Sequence, residues 1–248
     1  MTGSRRDVEQ RGILHLSPTG SLCSRPRTTS AAPLLLPQNE GHVTNPVVIK
    51  LGGSYASSAE RDDWLDAIDD CAGQAILVPG GGPFADAVRT AQHEIGYDDR
   101  AAHHMALLAM EQYGCALASL RPRWKLASSV EEIRGALAES GLPVWAPARM
   151  VLAAKNLPEC WELSSDSLAA WLAGVLGVSR LLLVKRIAGS QAGLSAADLA
   201  ARGVVDPLFP QFLGASGATA YIAGPADHAA AAAAIRRAAP PGVRIALH

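Results

Sequence analysis

The fold prediction depends most on one motif, Val47-Val48-Ile49-Lys50-Leu51-Gly52-Gly53-Ser54. The apolar, β-branched run predicts a buried strand, in which a lysine is costly unless something negative meets it. The paired glycines allow a sharp turn and let a ligand approach the backbone N–H groups, and Ser54 can cap a following helix. The stretch is a candidate phosphate cradle, although a plain strand with a tight turn also fits. It differs from the Walker P-loop, because its lysine precedes the glycines.

Composition limits the class of protein. The chain has 248 residues, of which 49% are hydrophobic, enough for one sizeable α/β domain or two small ones. The net charge of -1 indicates no nucleic-acid partner. The longest apolar run, 168–178, is too short to span a bilayer, so no membrane partner is expected. The cysteines lie far apart without a CxxC pair, which argues against a zinc site and fits a reducing, cytoplasmic location.

The first part of the chain differs from the rest. Residues 1–44 contain arginines, serines and prolines without sustained periodicity. Such a segment cannot bury enough apolar surface to offset the entropy lost on ordering. We therefore expect a disordered N-terminal extension over 1–44 and a folded domain over 45–248.

From residue 46 onward, strand patterns alternate with helix patterns. Strands are predicted over 47–51, 75–78, 116–120, 142–145, 180–184, 219–222 and 243–247. Helices are predicted over 58–71, after Pro83, and over 99–113, 130–139, 165–176, 196–202 and 225–238. This alternation predicts an α/β fold with an open, mostly parallel sheet and helices on both faces. Ligands bind such sheets at the carboxyl ends of the strands, where Lys50, the glycine turns and Lys185-Arg186 are expected to converge.

A second glycine turn, Gly80-Gly81-Gly82, follows a predicted strand and lies between two prolines. Its unshielded N–H groups at a helix start are typical of an anion site, although a flexible turn is the alternative. The helix that follows is predicted to have an apolar stripe of Phe84, Ala87, Val88, Ala91 and Ile95. Asp86 and Arg89, one turn along, form either a surface ion pair or a substrate contact.

Three further features are candidates for chemistry. Ser164-Ser165-Asp166-Ser167 opens a strongly apolar helix. Part of it is ordinary N-cap chemistry, but Asp166 could also hold a phosphate-binding lysine or help to place a magnesium ion. His103 lies within a helix and is a candidate substrate contact or a packed core residue. The proline-bounded segment 206–210, which begins with Asp206, either positions a functional group or simply turns.

Taken together, these motifs resemble the amino acid kinase superfamily. The matching parts are Lys50-Leu51-Gly52-Gly53-Ser54, Gly80-Gly81-Gly82, and the Ser165-Asp166 helix start followed by Leu181-Leu182-Leu183-Val184. The resemblance covers residues 46–248 and implies the three-layer sandwich of that family. It also implies an ATP-dependent kinase, with Mg²⁺ bound through the ATP phosphates rather than by the protein, and a homo-oligomer.

Within the superfamily the chain looks most like the methanofuran-pathway kinases. The matching runs are Val78-Pro79-Gly80-Gly81-Gly82-Pro83-Phe84-Ala85-Asp86 and Trp161-Glu162-Leu163-Ser164-Ser165-Asp166-Ser167-Leu168. This resemblance implies that the acceptor is (5-(aminomethyl)furan-3-yl)methyl phosphate and the product its diphosphate. Two alternatives stay open: another kinase of the superfamily, acting on a carboxylate or a different phosphate, and a non-catalytic nucleotide- or oxyanion-binding protein.

The resemblance also implies roles for individual residues. Catalysis would involve Lys50, Asp166 and Lys185. The ATP phosphates would be bound by Gly52, Gly53, Ser54, Gly80, Gly81 and Gly82. The acceptor would be bound by Asp86, Arg89, His103, Ser165 and Asp206. One departure favours the non-catalytic alternative: where many members have Thr-Asp-Val-Asp-Gly, this chain has Val184-Lys185-Arg186-Ile187-Ala188-Gly189, so a basic pair replaces an acidic one.

Overall fold

The computed structural model describes residues 46–187, 193–237, 239 and 241–247, and the predicted extension 1–44 lies outside them. The strands in these ranges are Val47–Leu51 (β1), Ala75–Pro79 (β2), Trp124–Ala127 (β3), Leu142–Trp145 (β4), Arg180–Val184 (β5), Thr219–Ala223 (β6) and Val243–Arg244 (β7). These strands form one sheet in the order β3-β4-β2-β1-β5-β6-β7. Neighbours pair in parallel except β6 and β7, which pair antiparallel. The predicted mostly parallel sheet is confirmed.

Helices cover both faces of this sheet, as predicted. They are Arg61–Asp69 (α1), Gly82–Ile95 (α2), Asp99–Ala118 (α3), Val130–Ala138 (α4), Ala148–Ala153 (α5), Ser165–Leu176 (α6), Ala196–Ala201 (α7), Phe209–Ser216 (α8) and His228–Arg236 (α9), with short 3-10 helices at Gly53–Ser57 and Pro225–Asp227. Successive strand side chains point to opposite faces and so enter two different cores. Val48 shares a core with Leu168 of α6, whereas Ile49 shares the other core with Trp64 of α1. In the described part of the chain, the helices are too short or too polar to cross a membrane.

The central strand β1 directs its lysine toward α6. The register pairs Lys50 with Val78 of β2 and Leu183 of β5. Because side chains alternate along a strand, Lys50 lies on the same face as Val48, which is the face that α6 covers. The lysine therefore faces the start of a helix instead of solvent.

The most strongly apolar elements have the predicted bounds, namely β1, β4, β5 and α6. The prediction of a strand over 116–120 was wrong, because this segment begins as the last turn of α3. Leu117 is buried on the helix face that carries Met110 and Tyr113, so the apolar run continues a helical stripe. The strand comes later, at Trp124–Ala127, where only the first and last residues are buried.

Two segments near the end of the chain also differ from the prediction. The strand predicted over 243–247 is reduced to the two residues of β7 and a single bridge between Ser195 and Ala246. The segment 206–210 runs directly into α8, whose first turn contains Pro210. Proline is tolerated there because the first N–H groups of a helix have no partner within the helix.

The apolar stripe predicted for α2 is largely exposed. Val88 is buried, but Phe84 is 36% exposed and Ile95 is 74% exposed. The helix packs on α3 and on the 3-10 helix Gly53–Ser57 instead of lying flat on the sheet. Only the narrow face that carries Ala85 and Val88 is therefore covered.

Candidate active site

Three neighbouring strands end at one crevice. β1 runs into Gly52-Gly53-Ser54, β2 runs into Gly80-Gly81-Gly82, and β5 runs into Lys185. The strands are parallel and β1 lies between the other two, so their carboxyl ends meet at the same edge of the sheet. The structure thus brings together the three groups that the sequence predicted to converge.

The two glycine turns are packed against each other. A Cβ atom on Gly53 would overlap the backbone nitrogen of Gly82, and one on Gly80 would lie 2.5 Å from the backbone nitrogen of Gly53. Gly82 also has a positive φ of 53° and lies against the ring of Tyr113. Gly53 and Gly80 require glycine because backbone meets backbone there, in addition to any contact with a ligand, whereas Gly82 favours glycine because of its positive φ.

The backbone donors of these turns fall into two groups. The N–H of Gly52 donates to the carbonyl of Val184 (3.1 Å) and that of Gly80 donates to the end of β1 (2.9 Å), so both already have partners. By contrast, α2 begins at Gly82 and its N-cap residue, Gly81, provides no side-chain cap. The first-turn N–H groups of α2 are therefore the donors best placed for an anion, in place of the predicted N–H of Gly52.

Two lysines share one carboxylate at the crevice, and we call this group the Lys50–Asp166–Lys185 cluster. Lys50 Nζ lies 2.8 Å from Asp166 Oδ1, and Lys185 Nζ lies 2.6 Å from Asp166 Oδ2. The side chains of Lys50 and Asp166 are only 6% and 3% exposed. Two positive charges against one negative charge leave the cluster with an excess of one positive charge, which favours an incoming anion.

The environment lowers the pKa values of both Lys50 and Asp166, for different physical reasons. Burial, only partly offset by Asp166, lowers the pKa of Lys50 from 10.5 to about 8. Burial would raise the pKa of Asp166, but the two lysines outweigh it and lower that pKa to about 2. Asp166 is therefore ionised at any physiological pH, whereas Lys50 is close to losing its proton.

The start of α6 places Asp166 within reach of both lysines. Asp166 lies in the first turn of this helix, where a carboxylate is favoured by the helix dipole. Ser164 is the N-cap residue, but its side chain makes no capping bond to the helix. The carboxylate of Asp206 lies there instead and accepts hydrogen bonds from Ser164 and Ser167. The structure thus places Asp206 behind the start of α6 and outside the lining of the neighbouring cavity.

A cavity of about 470 Å³ opens beside the glycine turns. Predicted site residues contribute much of its lining: Gly53, Ser54, Gly80, Gly81, Gly82, Asp86, Arg89, His103 and Ser165. Its other walls include buried apolar side chains of α3 and α6, such as Leu107, Met110 and Leu168. Because Asp86 and Arg89 are exposed, the cavity combines a charged mouth with an apolar interior.

Arg89 is held at this mouth by two neighbours. Its Nη1 lies 3.0 Å from Asp86 Oδ1, and its guanidinium carbon lies 4.6 Å from the ring centroid of Trp161. The indole N–H of Trp161 donates to Gln92 Oε1 at 2.7 Å. Neither Trp161 nor Gln92 is assigned a role by the sequence alone, because contacts between residues 69 positions apart leave no local signal.

His103 is buried at 4% exposure and lines the cavity. Burial lowers the pKa of His103 below its usual value, so the imidazole is neutral near pH 7. A neutral imidazole can donate one hydrogen bond and accept another. The structure therefore supports neither a charged contact nor a purely apolar one at this position.

The crevice suits a polyphosphate better than a bare metal ion. Among residues 46–187, 193–237, 239 and 241–247, no group of three His, Cys, Asp or Glu side chains could hold a metal ion. Asp166 is already occupied by two lysines. The positive cluster, the uncapped start of α2 and the glycine turns that a Cβ atom would fill all fit the phosphates of ATP.

Comparison with known proteins places this site in context. The chain is 22% identical over 146 residues to the [5-(aminomethyl)furan-3-yl]methyl phosphate kinase of Methanocaldococcus jannaschii, a match that covers 57% of this chain and 66% of that protein. Uridylate kinase from Archaeoglobus fulgidus is similar in structure, with a TM-score of 0.60, 20% identity and coverage of 81% of this chain and 100% of that one. An isopentenyl phosphate kinase from T. acidophilum matches with a TM-score of 0.50, 14% identity and coverage of 81% and 99%. These structural likenesses show a shared fold.

A family model matches the first part of the folded region, from β1 to β5. The model of the "Amino acid kinase family" matches residues 45–189, which run from β1 through β5 and include Lys50, Asp166 and Lys185. This is more than half of the chain. The predicted family and its sandwich fold are confirmed, and the chain belongs to the amino acid kinase family.

Proposed function

We propose that the chain transfers the terminal phosphoryl group of ATP to a small phosphate monoester. Phosphotransfer is the activity of its family. The observation that carries the proposal is the Lys50–Asp166–Lys185 cluster, a largely buried group with excess positive charge beside the uncapped start of α2. Such an arrangement attracts and aligns phosphate groups.

In this proposal the cluster overcomes the repulsion between two anions. Phosphoryl transfer requires mainly positioning and charge neutralisation, with little covalent help from the protein. Lys50 binds the transferred phosphoryl group, Lys185 neutralises the leaving ADP, and Asp166 orients both lysines. Donors at the start of α2 and the hydroxyl of Ser54 bind phosphoryl oxygens. Mg²⁺ bound through the ATP phosphates supplies further neutralisation when present.

No residue is needed as a general base. A phosphate monoester carries a charge of about -1.5 to -2 near neutral pH, so its attacking oxygen is already ionised. Arg89 lies at the mouth of the cavity with a guanidinium that can bind a phosphate through two parallel hydrogen bonds. His103, held neutral, adds a polar contact deeper in the cavity. We assign the acceptor site to this cavity, and therefore do not assign Asp206 to it.

The acceptor that we favour is (5-(aminomethyl)furan-3-yl)methyl phosphate, which would be converted to its diphosphate. Support comes from the name of the Methanocaldococcus jannaschii relative and from the charges at the cavity mouth. Asp86 is the carboxylate in the cavity lining, and it is 77% exposed. An ammonium group on the substrate can therefore approach it without displacing a buried group.

Substitution of Asp86 by asparagine tests this contact. We expect the KM for the aminomethyl substrate to rise about tenfold or more, because one charge-assisted hydrogen bond is lost, while the KM for ATP changes little. The measurement is steady-state kinetics with the aminomethyl acceptor and with an analogue that carries a methyl group in place of the aminomethyl group. The matched control is Asp66→Asn, an exposed carboxylate paired with Arg121 away from the cavity. Equal increases in the KM for the aminomethyl substrate and the KM for ATP would show that Asp86 does not bind the ammonium group. An equal loss of activity with both acceptors would show the same.

A second candidate acceptor follows from the apolar interior. Leu107, Met110 and Leu168 would suit a phosphate monoester with an apolar body, and an isopentenyl phosphate kinase shares the fold. A panel of acceptors decides between them, with ADP release as the readout: the furan phosphate, an alkenyl phosphate, a nucleoside monophosphate and a carboxylate. Tight ATP binding without ADP release for any acceptor would favour the non-catalytic alternative.

The pH dependence of activity should report the state of Lys50. Its pKa is lowered to about 8, so above this pH the amine loses the charge that neutralises phosphate. We expect kcat/KM for ATP to fall as the pH rises through about 8, and the limb in kcat to lie at higher pH, because a bound triphosphate stabilises the ammonium. Parallel circular dichroism spectra establish that the fold is intact over the range. A kcat/KM that stays flat to pH 10 would contradict a charged role for Lys50.

A further inference from the structure

The start of α6 is held by a carboxylate from a distant part of the chain. Asp206 Oδ2 accepts hydrogen bonds from the backbone N–H of Ser164 (3.2 Å), from its hydroxyl (2.8 Å) and from the backbone N–H of Ser167 (3.0 Å). Asp206 Oδ1 accepts a further bond from the hydroxyl of Ser167. Asp206 is buried at 9% exposure and lies 39 to 42 positions further along the chain.

This arrangement differs from an ordinary helix cap. In α7, Ser195 and Asp198 form a local capping box, in which each side chain bonds to the backbone N–H of the other. In α6, the hydroxyl of Ser164 instead donates to Asp206, and the long-range carboxylate takes the place of a local cap. Burial and the nearby charge of Asp166 both raise the pKa of Asp206. Capping α6 with Asp206 therefore has a cost in electrostatic free energy, because it places two carboxylates close together. Helix capping alone does not require that cost.

Asp206 bonds to residues on both sides of Asp166, the residue that pairs with the two lysines. Asp166 lies between Ser164 and Ser167, and its two oxygens must reach Lys50 on β1 and Lys185 after β5 at 2.8 and 2.6 Å. Both lysines are attached to the central sheet, whereas Asp166 is attached to a helix that packs on the sheet. A shift of about 1 Å in the first turn of α6 would lengthen at least one of these contacts beyond a good ion pair.

We propose that Asp206 is a positioning residue for phosphoryl transfer: it fixes the first turn of α6 so that Asp166 holds Lys50 and Lys185 at the crevice. The inference rests on the proposed function. In the predicted role, Asp206 contacts the substrate. In the role proposed here, Asp206 bonds to Ser164 and Ser167 and so acts on the site through the position of Asp166. Asp206 itself touches neither ATP nor the acceptor.

The test compares Asp206→Asn with two controls in the full chain. Asp198→Asn removes the corresponding carboxylate of the α7 cap, and Ile235→Ala creates a cavity in the core on the opposite face of the sheet. For Asp206→Asn we expect kcat to fall about tenfold to a hundredfold with little change in the KM of the acceptor. We also expect the alkaline limb of kcat/KM to move to lower pH, because Asp166 and Lys185 are the charged groups facing Lys50 and only Asp166 raises its pKa. Both controls should keep the kcat and the pH limb of the wild type.

A second measurement does not depend on turnover. Urea unfolding of Asp206→Asn, Asp166→Asn and the double variant should be non-additive, because the two carboxylates act on the same turn, whereas Asp198→Asn and Asp166→Asn should be additive. Two results would show that Asp206 is only a structural cap. One is that the changes in unfolding free energy of Asp206→Asn and Asp166→Asn are additive. The other is that Asp206→Asn loses stability while its kcat and the alkaline limb of its pH profile stay unchanged. An inactive wild-type protein with the expected non-additivity would instead overturn the proposed function and retain the coupling of Asp206 to Asp166.

Discussion

Replacement of Lys50 by alanine is expected to lower kcat by roughly a thousandfold or more, the largest effect on turnover that we foresee. The lysine supplies positive charge to the transferred phosphoryl group in a site where it is only 6% exposed, so water cannot substitute for it. The fold should survive, because Asp166 keeps its ion pair with Lys185 at 2.6 Å. A neutral pair then replaces a cluster with excess positive charge.

The measurement is single-turnover transfer from ATP, together with the KM for ATP and a thermal melt. Lys125→Ala provides the control, since this exposed lysine is paired with Glu139 at the surface and lies outside the cavity. A Lys50→Ala variant with near-normal turnover would show that Lys50 has no part in catalysis. A variant that has lost its fold would be replaced by Lys50→Met, which retains the aliphatic stem of the side chain.

Replacement of Asp166 by asparagine is expected to have the largest effect on stability. It leaves the buried Lys50 and the half-buried Lys185 without a counter-ion, and breaking a buried pair in this way costs about 3–5 kcal/mol. Turnover should also fall by about a hundredfold or more, since neither lysine is then held in place. The pH dependence of the wild type has the matching sign: the pKa of Asp166 is lowered to about 2 from 3.8, so its stabilising contribution is present above pH 3.8 and is lost as the pH falls toward 2.

A double variant separates these two effects. Asp166→Asn/Lys185→Met removes one of the uncompensated charges, so we expect stability in urea to recover in part while turnover stays low. Asp198→Asn serves as the control for the loss of a carboxylate at a helix start. If Asp166→Asn alone is as stable and as active as the wild type, the Lys50–Asp166–Lys185 cluster does not act as we propose.

Much of the fold could be predicted from local sequence. β1, β5 and α6 are predicted with the correct bounds, because fully buried strands and a helix packed on a sheet require long, uninterrupted apolar patterns. Glycine turns directly follow two of the predicted strands. Because parallel strands end at the same edge of the sheet, these turns predicted the crevice. The wrong assignments fall where burial is partial. β3 buries only its two end residues, and the exposed stripe of α2 has the same periodicity as a buried one.

The candidate site was predictable only where its chemistry lies within one motif. Lys50, the glycine turns and Asp166 carry their signals in adjacent residues, and the structure brings Asp166 to both lysines. The stacking of Arg89 on Trp161 and the engagement of the Gly52 N–H by Val184 carry no such signal. Each depends on where a distant element docks.

Local sequence is enough to predict the alternation of strands and helices, the glycine turns at two strand ends and the charged residues beside them. These features follow from side-chain periodicity and backbone freedom, which act over a few residues. Which charges meet depends instead on how the elements pack in three dimensions. The register of β1 directs Lys50 toward α6, and the packing of the segment before α8 brings Asp206 behind Asp166. Such contacts are set by the docking of helices on the sheet, because their partners are distant in sequence and meet only when the two cores form.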